Sequence, residues 1–512
     1  MAKLSGNGAK PPAAGEKPAP PGEYPLVVVG SGPGGLQGGY WLTRLGVPHA
    51  QVSADPGPGG MFRRFPIFQR LLSWTRPYAP FERGTRYYES YDWNSLLAEE
   101  PDNRSLMAGI MDGVSEFPSR PEMERNLTAF AEQTGTAVRY DVRWTATRHE
   151  DDRFVLETTD GEYRAKHLVF AVGMAEPWKP QTPGIEDVPH YAETMAAREY
   201  AGKRVFIVGK QNSGFELAEG FLPWAQQIVL CSPREAKLSV VTRSLVGIRA
   251  RYLQPYEDHN LGGGIHILNA AIERIERHAD GWRIFTRSTL GGADLTLDAD
   301  AVIAATGWSA PLRDLADMGI ATFNAGKLPV VTPFWESTTV PGVYFAGTVS
   351  QAMSGLKKHG VPSNSGAVQG ARYNARVLAE HIARTHYGWK PPRPKIAAKD
   401  VVSYLLSEAT HGPELWHQRS YLARIVSFDD EDGIRDEGIL PLAWFVDAPG
   451  PDAAAMTLEH TAEGEIRPTV YVRRQDKVEE HVMPTDTILD FETPEHRKQL
   501  RSLLGGLPGF KP

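Results

Sequence analysis

The sequence predicts an α/β chain: two three-layer units, each a largely parallel sheet covered by helices, followed by a small mixed α+β domain. Two observations carry most of this. An apolar, Val-rich run, Tyr24–Gly30, opens into a glycine cluster and then a helical stretch, and the same order returns from Arg204 to Gly209. A Pro-rich segment, Lys390–Lys395, then sets apart residues 396–512, where short apolar runs alternate with turns.

Composition narrows the function classes. At roughly 100–200 residues per domain, the 512 residues hold about three domains. Fifty-five Lys and Arg against sixty-two Asp and Glu give a formal charge of -7, so the counterion-release attraction of a nucleic-acid binder has no footprint. No apolar run approaches the roughly 20 residues that cross a bilayer, and no membrane partner is expected. Residues 1–23, rich in Pro, Ala and Gly, lack the apolar stretch of a secretory signal and read as a disordered leader on a cytoplasmic protein. The one cysteine, Cys231, excludes an internal disulfide framework, a CxxC redox pair and a multi-cysteine zinc site, and no metal site is expected.

The first glycine cluster reads Gly30-Ser31-Gly32-Pro33-Gly34-Gly35 and fits G-x-G-x-x-G between a strand and a helix, Leu36–Leu45. This is the dinucleotide-binding pattern of a Rossmann-like domain. Gly30 permits the sharp turn, Gly32 leaves room for a diphosphate, and Gly35 lets helix and strand pack closely, while the helix start offers unpaired N–H groups. The next strand, His49–Val52, leads to Ser53 where an acid would hold a ribose hydroxyl; Asp55 stands two residues on, and either can take that role. Gly59-Gly60-Met61-Phe62 offers a second Cβ-free approach to a flat ligand.

The second copy runs Gly209-Lys210-Gln211-Asn212-Ser213-Gly214, with Gln211 in place of the middle glycine. Its following strand, Gln227–Cys231, ends in Ser232-Pro233-Arg234, a hydroxyl and a guanidinium where a 2′-phosphate would sit, which favours NADPH over NADH. Two further strands close on glycine: His167–Gly173, containing Ala171, and Ala301–Gly307, ending in Thr306 and Gly307. These mark crossings between two stacked nucleotide domains near 175–195 and 303–310, so the first domain spans 24–195 and 303–389 and the second 196–302. A last run, Gly342–Thr348, precedes a helix expected near Ser365, with Asn364 or Ser365 as N-cap.

Taken in order, these motifs resemble those of the two-dinucleotide-binding-domain flavoproteins over residues 24–385. Phe117-Pro118-Ser119-Arg120-x-x-Met123 is similar to a segment of the class B flavin-dependent monooxygenases. Gly60–Pro66, Tyr91–Leu96, Ala192–Met195, Asn212–Glu216 and Ala346–Thr348 are similar to the family of FAD-dependent oxidoreductase domain-containing protein 2 and its bacterial relatives. The resemblance implies FAD at Gly30–Gly35, with Ser53, Asp55, Gly60, Met61, Phe62, Val142, Ala171, Gly173, Gly347 and Thr348, and a helix start at Asn364 and Ser365 that stabilises charge on a reduced ring. It implies NADPH at Gly209–Gly214 with Ser232, Arg234, Thr306 and Gly307. Two departures stand out: the F-x-G-x-x-x-H signature is only echoed from Pro183 to His190, and Thr75 occupies the place of an oxygen-activating Asn. Eukaryotic members reside in the endoplasmic reticulum; that address is not carried over.

One thiol cannot cycle as an internal dithiol, so thioredoxin-reductase-like chemistry is excluded and Cys231 reads as a small buried hydrophobe. What remains is dioxygen or an external acceptor. The expected activity is an NADPH-dependent monooxygenase that reduces FAD, forms a C4a-(hydro)peroxyflavin and oxygenates a small molecule at nitrogen, sulfur or a ketone. The alternative is a non-oxygenating FAD oxidoreductase or oxidase, or a redox-sensing scaffold with a protein partner. Thr75 and Asn94 are the expected catalytic residues, placed over the ring by resemblance together with Trp93. Arg243, Arg249 and Arg251 form a basic stretch suited to NADPH, to an anionic substrate or simply to solvent. Residues 396–512 should form strands at Ile439–Val446, Thr469–Val472 and Val478–Met483 and a helix at Pro494–Leu504, serving as an entrance cover, a homodimer contact or a carrier dock. Asp429–Gly433 reads as a solvated turn, lacking the spacing of a calcium loop.

Overall fold

The computed structural model describes residues 17–66, 70–242, 247–253, 262–324, 326–351, 366–461 and 463–511. Three main sheets organise the chain. In the first, Gly22–Val29 runs parallel to Ala50–Val52 on one side and to Gly161–Phe170 on the other. The strand Gly161–Phe170 divides its free edge: its first half pairs antiparallel with Arg153–Thr158, and its last three residues pair parallel with Val343–Phe345. Returning at residue 343, the chain therefore completes a sheet begun at residue 22. Leu26, Val27, Val28, Leu168 and Phe170 are buried on both faces, as a central parallel strand requires.

The order of strands in the second sheet is Leu295–Ala299, Gly281–Ser288, Ile265–His278, Gln227–Ser232, Arg204–Val208 and Ala301–Ala304. The last of these pairs parallel with Arg204–Val208, so this sheet extends two residues beyond the expected limit of 302. Helices cover both sheets where the glycine motifs predict them, Pro33–Arg44 and Asn212–Phe221. Arg120–Thr134 begins with a capping box in which Ser119 and Glu122 bond reciprocally, and it stops at Gly135, whose φ of 65° suits glycine.

Several expectations need correction. Residues 17–23 are not a loose leader: the first strand starts at Gly22, Lys17 Nζ donates to Tyr140 O at 2.9 Å, and Tyr163 OH donates to Ala19 O at 3.0 Å. The late helix starts at Val368 with Ala367 as N-cap; Asn364 and Ser365 lie outside the described residues, as does Arg243. Ile439–Val446 is not one strand, because the strand Arg435–Pro441 ends at a proline that lacks an N–H for the ladder, and a helix, Leu442–Asp447, follows at once.

The described residues between 396 and 511 form a five-stranded antiparallel sheet, in the order 435–441, 422–427, 453–460, 466–474 and 477–482, with the helices Val401–His411, Pro413–His417 and Pro494–Leu504. This part does not hang on the Pro-rich segment. Val401, Leu405, Leu406 and Leu415 belong to the same buried cluster as Leu26, Phe170 and Leu378 of the first unit. A charged cluster reinforces the join: Arg86 bonds both Glu408 (2.6 and 2.7 Å) and Glu414 (2.6 and 3.2 Å), while Arg376 reaches Glu414 at 2.7 Å and Arg424 reaches Glu408 at 3.0 Å.

Candidate active site

At the first turn a Cβ on Gly30 would strike the Ala171 carbonyl, one on Gly35 would strike the Gly30 carbonyl, and one on Gly34 would stand 2.6 Å from Gly347 Cα. Three backbone segments thus meet at van der Waals distance around residues 30–35. Gly32 differs. The nearest atom to a Cβ there is Gly60 Cα at 3.9 Å, so its missing side chain leaves open space that a ligand backbone can enter. Gly32 is also the N-cap of the helix Pro33–Arg44, whose first N–H groups lack intrahelical partners, and this combination fits the diphosphate of a dinucleotide.

The walls beside this turn are polar on one side. Ser31 Oγ and Ser53 Oγ, both buried, lie 2.7 Å apart, and Val142 N donates to Ser53 O at 2.8 Å. Asp55 N donates to Ser53 Oγ at 3.2 Å, and the Asp55 carboxylate lies 3.8 Å from Arg64. Ser53 and Asp55 therefore stand side by side in the polar wall next to the turn.

The second turn repeats the packing. A Cβ on Gly209 would collide with the Ala305 carbonyl, and one on Gly214 would stand 2.5 Å from Gly209 O. Gln211, extended and exposed, is the N-cap, so Asn212 and Ser213 begin the helix. Lys210 is buried with its Nζ donating to Leu268 O at 2.7 Å and to Asn269 Oδ1, and burial lowers its pKa. Its charge ties the turn to the neighbouring strand. Ser232 is half-buried and Arg234 exposed; Ser232 Oγ donates to Arg234 O at 3.4 Å. At the crossing, Thr306 Oγ1 donates to Trp178 O, and Gly307 O accepts from Trp178 N at 3.1 Å and from His190 Nε2 at 3.0 Å.

A cavity of about 550 Å³ joins the two turns. Gly30–Gly34, Ser53, Asp55, Gly60–Phe62, Val142, Ala171, Gly173, Gly347 and Thr348 line it from the first unit; Asn212, Ser213 and Glu216 line it from the second. Thr348 Oγ1 accepts from Met174 N at 3.1 Å. The predicted residues Gly35, Gly209, Lys210, Gln211, Gly214, Ser232, Arg234, Thr306 and Gly307 do not line this cavity. Ser73, Tyr191, Trp308 and Gln351 are among the contributors that carry no sequence signal of their own. Tyr191 OH donates to Glu216 Oε2 at 3.1 Å, and burial together with that carboxylate pushes the phenol well up.

Thr75 and Asn94, expected over the ring, are fully buried behind the cavity wall. They belong to a network around Asp92 that ends on Ser73, the residue that does face the cavity. Trp93 packs on Trp74 at 4.9 Å and edge-on to His417 at 5.4 Å. Arg249 N donates to Asn212 Oδ1 at 3.2 Å, and the Arg251 guanidinium stacks on Phe117 at 4.3 Å, bridging the two units. Cys231 is buried on its strand with Sγ donating to Ala270 O at 3.4 Å, and burial pushes its thiol up to about 11. Among the described residues no metal-ligating cluster occurs, and no helix is long and apolar enough to cross a membrane.

The family model of the pyridine nucleotide-disulphide oxidoreductases matches residues 27–347, which takes in both turns and the second crossing. FAD-dependent oxidoreductase domain-containing protein 2 of Mus musculus is 25% identical over 436 residues, covering 78% of this chain and 64% of that protein, so the chain spans just under two thirds of this relative's length. Ferredoxin–NADP reductase of Thermus thermophilus is 25% identical over 336 residues, 63% of this chain and 84% of that protein. A flavin-containing monooxygenase from Stenotrophomonas maltophilia superposes with a TM-score of 0.54 at 20% identity, covering 71% of this chain and 98% of that one, which shows a shared fold. Two glycine turns packed alike, the second reaching the same cavity through Asn212 and Ser213, agree with a family model that spans both, and the chain belongs to the pyridine nucleotide-disulphide oxidoreductase family, an FAD-binding oxidoreductase family.

Proposed function

We propose that this chain is an NADPH-dependent flavoprotein monooxygenase acting on a small organic molecule. The observation that carries this reading is the shared cavity without a thiol in its wall: the single cysteine is buried elsewhere, in a form too basic to be a thiolate at neutral pH. Electrons delivered between the two turns must therefore leave to dioxygen or to an external acceptor.

The residues divide the work by position. Gly32 and the helix start behind it receive the FAD diphosphate, and Ser53 with Asp55 receives its ribose. Asn212 and Ser213 meet the diphosphate of NADPH, and Ser232 with Arg234 meets the 2′-phosphate. FAD, once bound, supplies the hydride and oxygen chemistry. Leu71, Leu72, Phe62, Phe65 and Trp308 form apolar walls that limit water, while the start of the long helix Val368–His386 brings its positive end to the same cavity.

The test is a balance of NADPH oxidised, dioxygen consumed and product oxygenated across a panel of amines, thioethers and ketones. Incorporation of one labelled oxygen atom per NADPH supports the reading. Stoichiometric hydrogen peroxide with every compound rejects it. A second reading is electron transfer to a protein carrier, favoured by the ferredoxin–NADP reductase relatives. Fast anaerobic reduction of ferredoxin by NADPH would select it.

A further inference from the structure

The direction of each hydrogen bond behind the cavity wall can be read outward from one carboxylate. Asp92 is buried, and its Oδ1 accepts from Asn94 N and Ser95 N, each at 3.1 Å, and from Thr75 Oγ1 at 2.8 Å. Its Oδ2 accepts from Ser95 Oγ. Thr75 has thus given its only proton to Asp92 and can only accept from its other neighbour, Asn94 Nδ2, at 3.0 Å. The same Nδ2 donates to Ser73 O at 3.3 Å, a carbonyl that can only accept. Both contacts identify this end of the Asn94 side chain as the amide nitrogen. The other end is the carbonyl oxygen, and it takes the proton of Ser73 Oγ.

Ser73 lines the cavity, and its hydroxyl proton is held away from it. We infer that Ser73 Oγ is a fixed hydrogen-bond acceptor in the wall of the site, selecting a bound group with an N–H or O–H donor, and that Asn94, Thr75 and Asp92 are positioning residues that set this polarity. The surrounding chain holds the relay firmly. Arg372, buried at 1% exposure, donates to Asp92 O and Ser95 O at 2.8 Å each and to Glu89 O at 2.9 Å, and Asn126 Nδ2 donates to Asn94 O at 3.1 Å. A free serine rotates and serves as donor or acceptor; a serine at the end of this relay has lost the choice.

The inference rests on the reading that this cavity holds FAD and substrate, and the donor can come from either: a ring N–H of the cofactor or an N–H of an amine substrate. The experiment separates them without using turnover. Binding of FAD and of N3-methyl-FAD to the apoprotein is compared by fluorescence, and binding of octylamine and of octyltrimethylammonium, which has no N–H in any protonation state, to the holoprotein by flavin absorbance. Ser73→Ala should abolish a roughly five- to tenfold preference for the N–H-bearing member of one pair, the worth of one hydrogen bond. Ser73→Thr should restore it. Asn94→Leu, which frees the hydroxyl to donate, should also abolish it while leaving Ser73 in place. The pair that responds identifies the source. If neither pair shows a preference in the wild type, or if Ser73→Ala keeps it, the acceptor role is overturned, and since no NADPH or dioxygen is present the monooxygenase reading is untouched.

Discussion

Glu414→Gln should destabilise the chain by removing one charge from the cluster that joins residues 396–512 to the first unit. Glu414 and Glu408 have side chains exposed by only 1% and 2%, and Arg86, which bonds both, by 26%. Burial alone would raise the Glu414 carboxyl; Arg86 and Arg376 outweigh burial and hold it well below the usual carboxylate range. Breaking a buried pair by deleting one partner costs about 3–5 kcal/mol, because the remaining guanidinium stays out of water. Arg86 keeps Glu408, so the lower end, about 3 kcal/mol, is expected. The measurement is a urea titration followed both by tryptophan fluorescence and by flavin release, since a chain of several domains need not unfold in one step. The sign with pH follows from the lowered carboxyl: its contribution is full above the ordinary carboxylate value and is lost as pH falls through the folded value, so mutant and wild type should converge in acid. A variant within about 0.5 kcal/mol of wild type at pH 7 would refute the view that this cluster secures the join.

The two kinds of glycine predict different failures. Gly34→Ala places a Cβ 2.6 Å from Gly347 Cα and should lower the thermal midpoint even without cofactor, whereas Gly32→Ala, with 3.9 Å of clearance, should fold normally and lose FAD affinity; equal melting curves for the two apoproteins would contradict this. His167 and His381 are each lowered to about 4, chiefly by burial, and His417 falls well below its ordinary value for the same reason. The unfolded chain gains protons below about pH 6.5 that the folded one refuses, so the urea midpoint should fall between pH 7 and 5, and a flat profile would count against it. Cys231→Ala should keep NADPH oxidation within about twofold, and the native thiol should resist Ellman's reagent until denaturant is added.

The glycine turns were legible in the sequence because their logic is local: Gly30, Gly35, Gly209 and Gly214 sit within one strand-turn-helix unit each and meet backbone carbonyls that leave no room for a Cβ. The helix Pro494–Leu504 was legible from its own composition. Ser73 was not, since its role depends on Asn94 and Asp92, some 20 residues away and reached only through folding. Thr75 and Asn94 drew attention by resemblance, and their segment does reach the cavity wall, but one residue in front of them faces the ligand space. The accessory character expected of residues 396–512 followed from the prolines before it. What it missed was a core shared between Leu405 and Leu378, which is a matter of tertiary docking that composition does not record.

That common interior changes what can be done with the molecule. A cut at Lys390–Lys395 looks inviting on paper, yet it would strip a greasy face from the first unit, take both carboxylates from Arg86 and leave Arg376 only Glu380. Engineers seeking a minimal catalyst, and anyone grafting the tail onto another reductase, should treat the first unit and the terminal sheet as one indivisible block.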